Sequence, residues 1–157
     1  RLGVVLPPLE KNENGAPIPA GGLFWSLSHK TGVVAAAVSP EPVGIDVEKI
    51  RPVKSGLYER IADETERRLF PGDRALDFFQ CWTAKEAVLK AAGVGMAGLS
   101  SCCIAGVKGR EMLLASFETI SWTVRFHFFD GHLTAVAVDR STVSWSAPEG
   151  SDGGLPA

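Results

Sequence analysis

Gly44-Ile45-Asp46-Val47-Glu48 places two carboxylates two residues apart in a run rich in β-branched side chains. Successive side chains of a strand alternate between faces, so Asp46 and Glu48 project from the same one. Two like charges side by side repel unless something positive lies between them. A hard divalent cation such as Mg²⁺ suits that position, because it takes carboxylate oxygens and keeps waters for a phosphate ligand. A second stretch, Trp82-Thr83-Ala84-Lys85-Glu86-Ala87-Val88-Leu89-Lys90, carries a further carboxylate. There Glu86 and Lys90 stand four apart and share one helix face. Taken alone, this stretch is a core helix with a solvent-side Glu/Lys pair. Beside the upstream acidic pair, Glu86 becomes the candidate third carboxylate.

These groups need a strand and a helix to carry them. Phe78, Phe79, Trp82 and Leu89 recur at helical spacing and predict an amphipathic helix over 74–92, with Asp73 as its N-cap and Gly93 as a left-handed C-cap. The acidic pair belongs to a strand over 43–48 whose composition predicts that both faces are largely covered. Strands over 23–27 and 33–38 precede it, joined to it by the Ser39-Pro40-Glu41-Pro42 turn. Residues 2–6 form a short strand candidate stopped by Pro7-Pro8. One or two helical turns are expected over 57–61. Asp63-Glu64-Thr65-Glu66 fits a capping box, which alone accounts for Glu66. Beyond Gly95 the pattern turns to strands over 100–107, 111–117, 121–129 and 132–139, with Asp130-Gly131 as a hairpin signal. His127 and His132 read as sheet-surface residues rather than ligands. Ser28-His29, at a strand end, reads on its own as a structural pair.

The Gly-Ile-Asp-x-Glu run at 44–48, followed by Trp-x-x-Lys-Glu-Ala-x-x-Lys at 82–90, resembles the paired motifs of the 4′-phosphopantetheinyl transferases. Ser26-Leu27-Ser28-His29 is similar to the Ser-His element of the two-lobed members, the type that serves surfactin synthetase. The resemblance covers residues 14–139. It implies an α+β lobe, an antiparallel sheet with a long motif-bearing helix packed on it. It also implies Mg²⁺ on Asp46, Glu48 and Glu86, with coenzyme A as the substrate. Ser28 and His29 would face the 3′-phosphate of coenzyme A, with Lys85 and Lys90 as phosphate-binding cations. A serine of an apo acyl carrier protein or carrier domain would attack the β-phosphate, and 3′,5′-ADP would leave. Glu86 would accept the serine proton, with Glu66 as the other candidate. Carrier proteins are usually acidic, so Lys49, Arg51, Arg60, Arg67 and Arg68 are candidate docking residues, though acids interleave with them. One departure stands out: two-lobed relatives carry Gly-Lys-Pro near the front, and this chain has Gly15-Ala16-Pro17.

A length of 157 residues suits one domain, expected over 1–140, with 1–22 irregular and 141–157 a flexible tail rich in Ser, Gly and Pro. By the resemblance, the irregular front is expected to be a remnant of a first lobe or a linker to one. No long internal repeat is evident, so the first lobe is reduced, or belongs to a longer product, or is replaced by a homo-oligomer. A net charge of −2 with no basic run gives no reason to expect nucleic acid. No apolar run is long enough to span a bilayer, so no membrane partner is expected. Cys81, Cys102 and Cys103 have no metal-ligand spacing, and an odd count with an adjacent pair suits a reducing, cytoplasmic setting. Two other readings remain at this stage. One is a different Mg²⁺-dependent phosphotransfer or hydrolase reaction on the same carboxylates. The other is a binding or scaffold protein of the same fold.

Overall fold

The computed structural model describes residues 7–13, 15–70 and 72–147. The strand expected over 2–6 and the tail beyond 147 lie outside the described residues. The chain is α+β. Strands β1 (Phe24–Lys30) and β2 (Val33–Ser39) form an antiparallel hairpin. Strand β3 (Val43–Lys49) is one edge of a second, five-stranded antiparallel sheet. Its other members are β4 (Cys102–Lys108), β5 (Met112–Phe117), β6 (Ile120–Phe129) and β7 (His132–Val138), in the spatial order β3-β7-β6-β5-β4. Between β3 and β4 run two short helices, α1 (Tyr58–Ile61) and α2 (Glu64–Arg68), the long α3 (Arg74–Ala92) and a 3₁₀ segment, Gly95–Ser101. That segment occupies the start of the strand expected from residue 100, which begins instead at Cys102. Asp130 and Gly131 both take positive φ, 43° and 69°, as a tight β6–β7 hairpin requires.

Helix α3 is fixed at both ends by its own sequence. Asp73 accepts from the backbone N–H groups of Ala75 and Leu76, and Gly93 closes the helix at φ 72°. The expected apolar stripe gives way to burial on nearly all faces. Phe78, Phe79 and Leu89 are buried, but so are Asp77, Gln80, Thr83 and Lys85, so α3 is enclosed on almost every side. Around it lie the sheet, with Leu113, Val124 and Leu133, and the α1–α2 segment, with Tyr58 and Ile61. One face stays partly open, and it carries Trp82, Glu86 and Lys90 at a spacing of four.

The hairpin does not continue the five-stranded sheet by backbone pairing. The hydroxyls of Ser26 and Ser28 on β1 instead accept from the N–H groups of Ile45 and Val47 on β3, at 3.1 and 3.2 Å. At the opposite edge Glu66 accepts from Ile104 N–H at 2.7 Å. Side chains thus occupy donors that an open sheet edge would leave free for another chain.

A second apolar cluster, Val43, Ile45, Val136 and Val138, forms the other face of β3 and β7. Phe24, Ala35 and Ala37 of the hairpin cover it, together with Val143 and Trp145. The flexible tail expected from residue 141 therefore does not begin there. Ser141 donates to Glu41, and the Trp145 ring stacks on His127 with 5.3 Å between centroids. His132 also departs from its expected surface place. It is buried, its Nδ1 lies 2.9 Å from the Asp130 carbonyl oxygen, and its ring stacks on Phe129.

Strand β3 and helix α3 meet at Gly44. A Cβ on Gly44 would lie 1.9 Å from the Ala87 carbonyl oxygen and 2.6 Å from the Ala91 nitrogen. Both are backbone atoms of a helix held at each end, so neither can yield cheaply. Gly44→Ala is expected to destabilise the protein by at least about 1–3 kcal/mol, the usual scale of core overpacking. Denaturant unfolding checks this, and a variant as stable as the parent would mean that helix and strand are not locked together here.

Candidate functional site

On β3, Gly44, Asp46 and Glu48 share the face turned to α3, and the contacts run in opposite senses along the two elements. Gly44 meets Ala87 and Ala91, Asp46 meets Lys90, and Glu48 meets Trp82. The Lys90 ammonium lies 2.8 Å from Asp46 Oδ1 and donates also to the Ile45 carbonyl at 3.1 Å. Lys90 thus reaches across to the strand. The surface pair with Glu86 that the helix suggests on its own gives way to a bond with a buried carboxylate. Ser28 Oγ donates to the same Asp46 oxygen at 2.8 Å. Glu48 Oε1 receives the Trp82 indole N–H at 3.2 Å and the Lys30 ammonium at 2.9 Å.

Asp46 and Glu48 are 5% and 7% exposed, low enough for desolvation to dominate. Burial pushes the Asp46 carboxyl above its ordinary value of 3.8, against the charge of Lys90 and the hydrogen bonds from Lys90 and Ser28, with Glu48 adding to the rise. Its Oδ2 is buried without a hydrogen-bond partner. Half-buried Glu86 is also raised, by burial first and then by the charge of Asp46, while Lys90 and Lys30 pull it down and Glu48 pushes it up. The three carboxylates therefore share one electrostatic environment.

Oxygen-only donors and an unpartnered, buried Oδ2 suit a hard divalent cation, which binds through one or two carboxylates plus substrate phosphates. Among the described residues no group of three or more His, Cys, Asp or Glu side chains is arranged to hold a metal ion. In this arrangement Lys30 and Lys90 neutralise the acidic pair.

Of the remaining expected site residues, Ser28 touches the acidic pair and Glu66 and Lys85 lie away from it. Ser28 and His29 point to opposite sides of β1, Ser28 buried against Asp46 and His29 exposed. The Ser28 hydroxyl donates to Asp46 and accepts from Val47. Glu66 and Lys85 form a separate buried ion pair at 2.7 Å. Lys85 also donates to the Ile61 carbonyl at 2.7 Å, and Glu66 accepts from the N–H groups of Asp63 and Ile104. One helix position beyond Lys85 turns the chain by about 100°, so Lys85 and Glu86 leave α3 in different directions. Lys85 as a phosphate cation and Glu66 as a base beside the carboxylates are thus not brought to the cluster. Lys30 and the Trp82 indole N–H were absent from the expected set. Lys30 was legible in principle, since it lies two residues past Ser28 and so on the same strand face.

A strand edge and a helix face that bring an acidic pair against a further glutamate and a lysine define the motif-bearing lobe of a phosphopantetheinyl-transferase-like fold. A profile of the 4′-phosphopantetheinyl transferase superfamily matches residues 42–137, more than half of the chain. The chain is 39% identical over 99 residues to a 4′-phosphopantetheinyl transferase of Bacillus pumilus, covering 59% of this chain and 42% of that protein. A 4′-phosphopantetheinyl transferase of Aneurinibacillus migulanus is 34% identical over 90 residues, covering 55% and 38%. One from Salmonella typhimurium is 34% identical over 100 residues, covering 56% and 50%. This chain belongs to the 4′-phosphopantetheinyl transferase superfamily, and the stretch it shares with these relatives spans half of their length or less.

The two sets of buried charges predict different behaviour. The raised Asp46 carboxyl means that the folded protein holds this proton more tightly than the unfolded chain does. Its contribution to stability is therefore greatest at low pH and is lost as pH rises from 3.8 towards the raised folded value. Asp46→Asn keeps an acceptor for Ser28 and Lys90 and cannot ionise. In metal-free buffer its melting temperature minus that of the parent should grow with pH across that window and then level off. A difference that shrinks with rising pH would show that Lys90 stabilises the charge more than burial opposes it. Lys85→Met strands the buried Glu66 charge and should cost about 3–5 kcal/mol, with most of it recovered in Lys85→Met/Glu66→Gln. Denaturant melts of both variants check this, and a single variant as stable as the parent would show that the pair is not tightly coupled.

Proposed function

We propose that this chain transfers the 4′-phosphopantetheine arm of coenzyme A to a serine of an apo acyl carrier protein or carrier domain, releasing 3′,5′-ADP in a Mg²⁺-dependent reaction. The observation that carries the reading is the facing of Asp46 and Glu48 on β3 by Glu86 and Lys90 on α3. Superfamily membership supports this reading of the cluster.

In this reading Asp46, Glu48 and Glu86 would hold Mg²⁺. When bound, the ion would supply positive charge for the phosphoryl oxygens as negative charge builds there. The serine oxygen forms a bond to the β-phosphorus, and the bond from that phosphorus to the bridging oxygen breaks. That oxygen and its electron pair leave with 3′,5′-ADP. Lys90, 30% exposed at its side chain, is open enough to follow the pyrophosphate while still tethered by the Ile45 carbonyl. Glu86 suits the serine proton better than Glu66 does. It sits on the partly open face of α3, whereas the Glu66 oxygens are taken by Lys85 and two backbone donors. Ser28 orients Asp46 through its hydrogen bond, and Trp82 does the same for Glu48. His29, on the exposed side of β1, remains a candidate for the coenzyme 3′-phosphate.

Incubation with coenzyme A, Mg²⁺ and an apo carrier protein, read by intact mass, tests the proposal. A carrier gaining one phosphopantetheine arm is the expected result. An unmodified carrier would favour the scaffold reading, and a coenzyme A cleaved without transfer would favour a hydrolase. Asp46→Ala should lower turnover by about 10²-fold or more, the scale of losing one preorganised electrostatic group. Mg²⁺ should raise the melting temperature of the parent and not that of this variant.

A further inference from the structure

Lys30 belongs to none of the motifs, yet its ammonium stands 2.9 Å from Glu48 Oε1, inside the carboxylate cluster. The two partners differ sharply in exposure. The Lys30 side chain is 40% exposed and that of Glu48 is 9%. Glu48 is held independently by the Trp82 indole N–H, so its orientation does not rest on Lys30. The charge of Lys30 is felt at Glu86 as well, which puts it on the rim shared by the carboxylates of both elements. Lys90 enters the same cluster from the helix side, tethered to a backbone carbonyl. Lys30 enters from the hairpin on a flexible four-carbon stem with water around its head.

We propose that Lys30 is a positioning residue with two stations: it neutralises Glu48 in the metal-free protein, and it moves onto a substrate phosphate oxygen once a divalent cation takes Glu48. The inference rests on the reading that Asp46, Glu48 and Glu86 take a divalent cation. A lysine on a ligand oxygen opposes the metal twice, by occupying the oxygen and by like-charge repulsion. A pyrophosphate brings more negative charge than the metal cancels, so the displaced ammonium is attracted back, now to the substrate. Lys30 therefore also supplies a cation to the phosphate-binding side of a chain that has alanine at position 16.

The signature is a pair of effects of opposite sign, which a surface ion pair serving only stability would not produce. Calorimetric titrations of Mg²⁺ alone, and of coenzyme A in saturating Mg²⁺, are compared for the parent, Lys30→Gln and Lys30→Arg. Lys30→Gln should bind Mg²⁺ about five-fold more tightly and coenzyme A about five-fold more weakly, the scale of one partly exposed ion pair. The coenzyme A effect should shrink at high salt, where such a contact is screened. Lys30→Arg, which keeps the charge, should move both affinities back towards the parent. An unchanged Mg²⁺ affinity or an unchanged coenzyme A affinity in Lys30→Gln overturns the inference while the metal reading stands. A parent that takes up no Mg²⁺ overturns the metal reading and the inference with it.

Discussion

The close approach of α3 to β3 at Gly44 is the contact on which the rest depends. A hydrogen in place of a side chain lets the helix backbone lie against the strand, with the Ala87 carbonyl where a Cβ would otherwise be. That spacing puts Lys90 within hydrogen-bond reach of Asp46 and Trp82 within reach of Glu48. A wider separation would leave two carboxylates on a strand without the helix groups that give them chemical meaning. The caps Asp73 and Gly93 matter for the same reason, because they hold the helix whose register sets these pairings.

Burial of charge takes two forms in this molecule. Glu66 and Lys85 are closed off and nearly saturated, tying α2, α3 and β4 into one block. Such a pair adds little net stability over an apolar replacement but is costly to break from one side. The Asp46 cluster is the reverse. It has an unpartnered buried oxygen, Asp46 and Glu86 carboxyls raised by burial, and lysines reaching in from partly exposed positions. Function concentrates where perturbed, incompletely paired charges sit beside an open face.

The hairpin makes the cluster's third wall and joins the sheet through hydroxyls rather than backbone pairing. Ser28 makes two bonds to β3 with one oxygen, accepting from Val47 and donating to Asp46. Because Lys30 leaves the same face of the same strand, the hairpin also sets how closely a cation can approach Glu48.

Local chemistry was legible in the sequence. Period-two alternation put Asp46 and Glu48 on one face, the i, i+4 rule put Glu86 with Lys90, and the capping box at Asp63, the N-cap at Asp73, the glycine cap at 93 and the Asp130-Gly131 turn all formed as their residues dictate. Motif order pointed to the superfamily that the profile match confirms. Whatever depends on two segments meeting was decided only in three dimensions. Lys85 and Glu86 are neighbours in sequence, but a turn of about 100° sends one into the interior and the other to the cluster. Glu66, explained locally as a cap, became the partner of a lysine nineteen positions away. Ser28 and His29 separated because strand neighbours face opposite ways, and residues 141–147 stayed attached because Val143 and Trp145 found an apolar face to cover. Propensity and spacing act over a few residues along the chain, whereas the choice of which charge is buried and against what belongs to the packing of the whole domain.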